Sequence, residues 1–171
     1  GLGVKQFFDE ERIILFPEAS LAEGAIRGWD RRNVYYFHML NSLAEHYGFN
    51  IDTPFRELSK KHRQIILHGS GKQEIAFAYV NDRGDVFKRN HPFEGIIPNM
   101  ERRYRDTDSQ SVREELAKFL ATQPCPDCEG TRLNKGARNV FIAQRAIPAI
   151  TSESVANALA FFEQLDLDVW K

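Results

Sequence analysis

Two cysteines separated by two residues, Cys125 and Cys128, constrain the fold more than any other feature, because no other cysteine occurs in the 171 residues. A Cys-x-x-Cys knuckle is typical of structural zinc sites, which take four tetrahedral ligands and commonly use two such knuckles. One knuckle supplies two thiolates, so the sequence predicts half of a zinc site. The simplest interpretation is a chain cut from a longer protein, with the partner cysteines just outside it.

Three other interpretations of the pair stay open. A redox pair is possible, but Glu-Gly-Thr-Arg follows the knuckle and suits a turn better than a helix start. A structural disulfide is less favoured, because secreted proteins with disulfides usually have more cysteines and a signal peptide. A Cys2His2 site needs a short His-x(3–5)-His spacing downstream. Four histidines are predicted to be ordinary helix residues instead: His38, His46, His62 and His68.

The composition is that of a soluble globular protein, with 42% hydrophobic and 27% charged residues. The length allows one or two domains with a sizeable core. No apolar run approaches the roughly 20 residues that span a membrane, and no leader is visible. We therefore expect a cytoplasmic protein with no membrane partner.

Charge is distributed unevenly along the chain. The net charge is −1, yet residues 56–105 contain 11 Lys and Arg against 6 Asp and Glu, a net of +5. A basic middle inside an acidic frame indicates contact with a polyanion, although a solvated surface gives the same pattern.

Apolar spacing and turn residues predict an α+β fold with a small mixed sheet, hairpins and several helices. Strands are expected over residues 4–8, 12–15, 73–80, 86–90 and 139–143, with 147–150 extended. Helices are expected from a cap at Asp30 to residue 47, from Ser59 to residue 67, over 94–104, and from Ser109 or Ser111 to residue 122. A final helix is capped by Thr151 or Ser152. Residues 35–37 broaden the apolar face of the first long helix and are predicted to be core.

Catalytic motifs are absent from the sequence. Residues 69–72, Gly-Ser-Gly-Lys, lack the glycine spacing of a phosphate loop, and a strand rather than a helix is predicted after them. No nucleophile elbow or His-Glu-x-x-His helix occurs. We therefore expect no enzyme activity from these residues.

Seven strings, in order, resemble one family closely. They are Gly-Leu-Gly-Val at 1–4, Ala-Ile-Arg-Gly-Trp-Asp-Arg-Arg-Asn at 25–33, Asn-Asp-Arg-Gly at 81–84, His-Pro-Phe-Glu-Gly at 91–95, Asn-Met-Glu-Arg-Arg-Tyr at 99–104, Val-Arg-Glu-Glu-Leu at 112–116, and the stretch 125–133. The family is UvrA, the damage-sensing subunit of the bacterial nucleotide-excision-repair excinuclease. The resemblance covers essentially the whole chain.

The resemblance implies a piece of a dimeric ABC-type ATPase. Residues 1–15 would be a remnant of the first signature domain, 16–122 an insertion domain with the basic middle 56–105, and 123–171 the return to the signature domain. Zinc would be held in the intact protein by Cys125, Cys128 and an upstream knuckle. ATP and Mg would bind only elsewhere in the parent protein, whose Walker and signature motifs lie outside this chain. Its implied partners are damaged double-stranded DNA, the dimer partner and, through a different region, UvrB.

The basic middle supplies the candidate DNA-binding residues. A sensor of many lesion types has to read backbone shape, which favours phosphate contacts by Arg and Lys. The candidates are Lys60, Lys61, Arg63, Arg83, Lys88, Arg89, Arg102, Arg103 and Arg105. Each can instead be a solvated charge or a surface ion pair. Trp29 and Tyr104 can stack on bases, although aromatic residues are more often core.

A protein-interaction module is the alternative function. The insertion would then dock within the UvrA dimer or on repair proteins, with its basic residues in interdomain ion pairs. Salt-sensitive DNA binding discriminates between the two functions.

Overall fold

The computed structural model describes residues 2–80 and 86–166. The chain divides into two compact units: a larger one, Phe8–Ala121, and a smaller one formed by Gly1–Phe7 together with Thr122–Lys171. Helices and two-stranded sheets make up the described part, which confirms the predicted α+β class. No helix in residues 2–80 or 86–166 is long and apolar enough to cross a bilayer.

The elements follow one another without regular alternation of strands and helices. In chain order they are β1 (Val4–Phe8), α1 (Glu10–Ile13), α2 (Val34–Tyr47), α3 (Lys60–His68), β2 (Glu74–Val80), β3 (Val86–Pro92), α4 (Ile96–Asp106), α5 (Gln110–Ala117), β4 (Leu120–Pro124), α6 (Lys135–Arg138), β5 (Phe141–Ile142), β6 (Arg145–Ala146), α7 (Ile147–Thr151) and α8 (Val155–Glu163). A 3-10 turn, Phe55–Glu57, precedes α3. The strands pair as β1 with β4, β2 with β3, and β5 with β6.

One part of the core of the larger unit lies between α2 and the β2–β3 hairpin. Alternate residues of β2 face the core, so Ile75 and Phe77 are 1% and 0% exposed. The hydroxyl of Ser42 on α2 accepts a hydrogen bond from the Ala78 backbone N–H at 3.2 Å. α2 therefore covers the inner face of the hairpin and satisfies a donor on the free edge of β2.

Two glycines let the end of α3 touch the start of α4. At Gly69 a Cβ would lie 2.5 Å from the carbonyl oxygen of Phe93, and at Gly95 a Cβ would lie 2.5 Å from the backbone nitrogen of Gly69. Gly95 has φ 93° and ψ 152°, a region that essentially only glycine occupies. The close backbone contact fixes where α4 begins relative to α3.

Several helix caps lie where the sequence places them. Ser59 caps α3 by accepting from the backbone N–H of His62 at 3.1 Å, and Ser109 caps α5. Gly48 ends α2 in the left-handed conformation. Asp30 was wrongly predicted to cap α2: Asn33 is the cap, because the Asp30 carboxylate is instead bound by the side chain of Arg32.

Four other predictions in the larger unit were wrong, and a local cap and a long-range strand pairing explain the first two. Residues 12–15 are not a strand, since Asp9 caps the helical turn α1 through the Glu11 N–H at 3.0 Å. The helix predicted to run to residue 122 ends at Ala117, because the following residues pair with β1 as β4. β3 continues beyond residue 90 to Pro92, which a terminal strand position tolerates. Tyr35 was predicted to be core and is 56% exposed.

In its described residues, 2–7 and 122–166, the smaller unit contains a short hairpin and three helices. The strand predicted over 139–143 is only Phe141–Ile142, because Ala143 and Gln144 both have positive φ and form the two-residue turn to β6. Residues 147–150 are helical rather than extended, and Pro148 fits the first turn of α7. Ser154 caps α8 in place of the predicted Thr151 or Ser152.

Candidate nucleic-acid interface

The first turn of α3 presents two lysines to solvent. Lys60 and Lys61 are exposed, Arg63 is half-buried, and the turn contains no acidic residue. Positive side chains are unfavourable at the positive end of a helix, where free backbone N–H groups attract anions. No salt bridge among the described residues involves these three cations. Helix stability does not account for this arrangement, whereas an external anion would.

Neighbouring cations on β3 point to opposite faces of the hairpin. Arg89 pairs in register with Phe77, whose face packs against α2, whereas Lys88 pairs with Ala78 on the other face. Both are exposed. The structure therefore does not bring these two predicted residues together. The predicted Arg83 lies outside the described residues.

Two predicted arginines of α4 are held by carboxylates. The Arg102 guanidinium donates to both carboxylate oxygens of Glu94 at 2.7 and 3.0 Å, and Arg105 donates to its neighbour Asp106 at 2.8 Å. Arg102, followed by Asn99, holds the pKa of Glu94 below its ordinary value. The Arg102–Glu94 pair is partly exposed, so it contributes at most about 1 kcal/mol to stability, whereas the Arg105–Asp106 pair lies in solvent.

Arg103 differs from its neighbours because it lines a cavity of about 350 Å³ in the larger unit. Arg27 lies on the same cavity, together with Trp29 and Tyr36, whose rings stack at 4.0 Å. Lys118 and, more weakly, Arg27 keep the pKa of Glu115 on this wall below its ordinary value. Arg27 was not among the predicted residues, although it lies in one of the strings that resemble the family.

The two aromatic residues considered for base stacking are not freely available. Trp29 is 2% exposed, and Tyr104 is half-buried with its ring edge-on to Phe8 at 6.0 Å. Their surroundings fit the core interpretation. Exposed aromatic side chains instead flank the β2–β3 hairpin, where Phe87 is 40% exposed.

The cysteine knuckle of the smaller unit is shaped to stabilise a thiolate. Backbone hydrogen bonds from Cys128 and Asp127 lower the pKa of Cys125. Cys128 is 9% exposed, and the Cys125 N–H donates to the carbonyl of Gly3 at 2.9 Å. Within residues 2–80 and 86–166, no group of three or more potential ligands is assembled. The pair thus has the chemistry of two zinc ligands, and the described residues supply no third.

Gly3 packs so closely on this knuckle that no side chain would fit. A Cβ there would lie 2.7 Å from the carbonyl oxygen of Gly130 and 2.9 Å from the Arg132 side chain. The chain just after Leu2 therefore runs directly beside the cysteine pair.

Comparison with known proteins gives one consistent result. Residues 9–118 match the family described as the UvrA DNA-binding domain. The chain is 63% identical over 167 residues to the UvrABC system protein A of Pseudomonas putida, and 60% identical over 168 residues to that of Vibrio cholerae. Both alignments cover 98% of this chain and 18% of the relative. The chain thus spans about a fifth of the length of the curated relatives it matches.

A solved structure shares the fold. The crystal structure of UvrA2 from Deinococcus radiodurans matches with a TM-score of 0.65 over 95% of this chain and 21% of that one. The identity in that comparison is 18%, so the match bears on the fold alone.

Proposed function

The chain belongs to the UvrA DNA-binding domain family, and on that premise we propose that it binds double-stranded DNA through the phosphate backbone without sequence specificity. In the longer protein this binding would serve ATP-dependent damage recognition in nucleotide excision repair. The observation that carries the proposal is the lysine-rich first turn of α3, where Lys60 and Lys61 face solvent at the positive end of a helix.

Lys60 on α3 and Arg103 on α4 both lie far along their helices from the place where the two helices meet. α3 ends and α4 begins at the contact between Gly69 and Gly95, and the two helices pack on each other. Lys60 and Arg103 each lie eight or nine residues from that contact, about 12 Å along their helices. Both basic ends thus point away from the contact. Arg102 and Arg105 have nearby carboxylates, so we expect them to contribute less than Arg103.

The proposal is tested by removing charge at two sets of residues. The test variant carries Lys60→Gln, Lys61→Gln and Arg63→Gln. The control variant loses the same charge from three cations that are paired with carboxylates and are not candidate DNA-binding residues: Arg31→Gln, Arg56→Gln and Lys118→Gln. Each lost phosphate contact reduces the slope of log affinity against log salt by about 0.9. The slope of the test variant should therefore fall by up to about 2.7.

The measurement is fluorescence anisotropy with a labelled duplex between about 50 and 200 mM salt. We expect the control variant to keep most of the affinity and slope. No duplex binding by the unmodified chain, or equal losses in the two variants, would contradict the proposal. Equal losses would show that net charge, and not the α3 surface, determines binding.

We further propose that Cys125 and Cys128 are two ligands of a zinc ion in the longer protein. A structural zinc takes four ligands, so an upstream knuckle would supply the other two. The ion would supply structural cross-linking, and the lowered pKa of Cys125 favours its thiolate form. We expect metal analysis of this chain to find well below one zinc per molecule. One tightly held zinc per chain would refute the half-site.

The domain assignment is part of the proposal. The larger unit, Phe8–Ala121, would be the insertion domain, for which the prediction was 16–122. The smaller unit, Gly1–Phe7 with Thr122–Lys171, would be the signature-domain pieces, for which the predictions were 1–15 and 123–171. ATP and Mg would bind outside these residues, whose sequence has no phosphate loop. An ATPase assay of the chain should therefore give no turnover. Contacts with a second UvrA, and with UvrB through another region, would likewise belong to the longer protein.

One observation favours a protein-interaction role, for the smaller unit and not for the insertion that the alternative function names. On α8 of the smaller unit, Val155, Leu159 and Phe162 are 87%, 58% and 50% exposed and share a helical face. Exposed apolar stripes mark interaction surfaces. Sedimentation velocity with Leu159→Glu tests it: loss of a concentration-dependent association would support an interaction role, and a monomer at all concentrations would contradict self-association.

A further inference from the structure

An aromatic cleft opens between α2 and the β2–β3 hairpin, at the end of the hairpin nearer its turn. Its lining consists of Tyr35, Tyr79, Phe87, Arg89 and His91. The volume is about 320 Å³, at the low end of the ~300–1,000 Å³ typical of small-molecule sites. The four lining residues of the hairpin share the face that carries Ile75 and Phe77 into the core, but here the face is open to solvent.

Neighbouring rings of the cleft are inclined to one another by 27° to 36°. The ring of Tyr79 lies 5.8 Å from that of Phe87 and 6.1 Å from that of His91, with interplanar angles of 28° and 27°. Tyr35, on α2, lies 6.0 Å from Tyr79 at 36°. Tyr35 and Phe87 are 56% and 40% exposed. The cleft thus exposes the rings of Tyr35 and Phe87 to solvent on either side of Tyr79, and a flat ring can stack on exposed aromatic side chains.

Hydrogen bonds hold the floor of the cleft in place. Tyr79 Oη donates to His91 Nε2 at 2.7 Å, and His91 Nδ1 donates to the carbonyl of Pro92 at 2.8 Å. The imidazole also stacks on buried Phe77 at 4.5 Å. A surface fixed in this way loses little side-chain freedom when a ligand stacks on it.

Arg89 supplies positive charge at the cleft. Its guanidinium lies over the Phe87 ring, 5.4 Å from the ring centre, and the side chain is exposed. An aromatic surface beside a guanidinium matches a nucleobase joined to a phosphate. Paired bases inside a duplex do not expose their faces, so the ligand has to be unpaired.

We propose that this cleft stacks an unpaired nucleobase of DNA, with Arg89 contacting the adjacent phosphate. The proposal rests on the proposed function in one respect, which is that the ligand is DNA. It adds a second mode of binding, which distinguishes locally opened DNA from a fully paired duplex. A domain with both modes would favour DNA in which bases have lost their stacking.

The test compares two labelled DNAs of equal length and phosphate number: a fully paired duplex and the same duplex with a short central bubble. The measured quantity is the ratio of the duplex Kd to the bubble Kd for the full chain. Alanine substitution of a stacking residue costs about 1–3 kcal/mol per base, or about 5- to 150-fold. We expect a ratio of at least about 5 for the unmodified chain.

Matched variants assign the preference to the cleft. Phe87→Ala and, separately, Tyr35→Ala should bring the ratio close to 1 with little change in duplex affinity, whereas Phe87→Tyr should keep it. Arg89→Gln should lower the ratio. Lys88→Gln removes the same charge from the opposite face of the hairpin and should leave the ratio unchanged. Both alanine sites are exposed, and circular dichroism checks that each variant is folded.

The outcomes separate this inference from the proposed function. A ratio near 1 for the unmodified chain, with salt-dependent duplex binding, would overturn the cleft proposal and leave the proposed function standing. A ratio that survives both Phe87→Ala and Tyr35→Ala would also overturn it. Absence of binding to either DNA at low salt would contradict both.

Discussion

Gly95→Ala should destabilise the larger unit strongly, because neighbouring backbone atoms leave no space for the added methyl group. The new Cβ would lie 2.5 Å from the backbone nitrogen of Gly69 and 2.5 Å from the carbonyl carbon of His68. Both are backbone atoms, so a change of side-chain rotamer cannot relieve the contact. The backbone region of Gly95 costs another residue about 1–3 kcal/mol, and overpacking adds about 1–3 kcal/mol. We expect a loss of about 4 kcal/mol in total.

Gly48→Ala is the matched control. Gly48 also has a positive φ, 71°, but a Cβ at this position would have no atom within 4 Å outside its own helix and chain neighbours. Only the left-handed backbone penalty applies there, about 1 kcal/mol. The difference between the two variants therefore isolates the steric contact between α3 and α4.

Urea unfolding measures both variants. A Trp170→Phe background leaves Trp29, which is 2% exposed, as the reporter of the larger unit. With a slope of about 2 kcal/mol per molar urea, the midpoint should fall by about 2 M for Gly95→Ala and by about 0.5 M for Gly48→Ala. Equal shifts in the two midpoints would refute the close backbone contact.

Three further predictions concern a carboxylate, a thiol and a helix cap. Because the folded pKa of Glu94 is lowered, chiefly by Arg102, its stabilising contribution is present above the ordinary Glu pKa and is lost as the pH falls through the folded pKa. Glu94→Gln should thus lower Tm at pH 7 by the equivalent of at most about 1 kcal/mol, with a difference that shrinks in acid; a deficit independent of pH would count against the pair. Cys125, whose pKa is lowered, should react with iodoacetamide at neutral pH before the more buried Cys128, and equal rates in a mass-spectrometric time course would disprove this. Asn33→Ala should cost about 1 kcal/mol in thermal unfolding by removing the cap of α2, whereas Asn33→Asp should be nearly neutral.

Local signals in the sequence predicted local structure well. Ser59 and Gly48 bound their helices as expected, since a cap depends on atoms only a few residues away. The Asp30 error has a local origin too, because two capping residues lie within one turn and Arg32 binds the first. β4 could not be predicted in this way, since its partner β1 lies more than a hundred residues earlier.

The sequence predicted which residue types make up the candidate site, but it did not predict how those residues are placed in the structure. Counting charges identified a basic stretch, yet only the register of the hairpin separates Lys88 from Arg89. Likewise, the apolar pattern placed Tyr35 in the core, and only the packing of α2 on β2 leaves its ring exposed. The face on which a side chain lies and the residue that it contacts depend on tertiary packing, and local sequence patterns do not specify that packing.

The two ends of the larger unit meet. The backbone N–H of Asp9 donates to the carbonyl of Phe119 at 3.0 Å, so the chain leaves the unit where it entered. In chain order, residues 8–121 therefore take the place of a loop between the two segments of the smaller unit. Loop-closure entropy grows only with the logarithm of loop length, so a host fold tolerates a folded insert of this kind at little cost. Such a segment can be lengthened, exchanged or removed in evolution while the strands on either side keep their pairing.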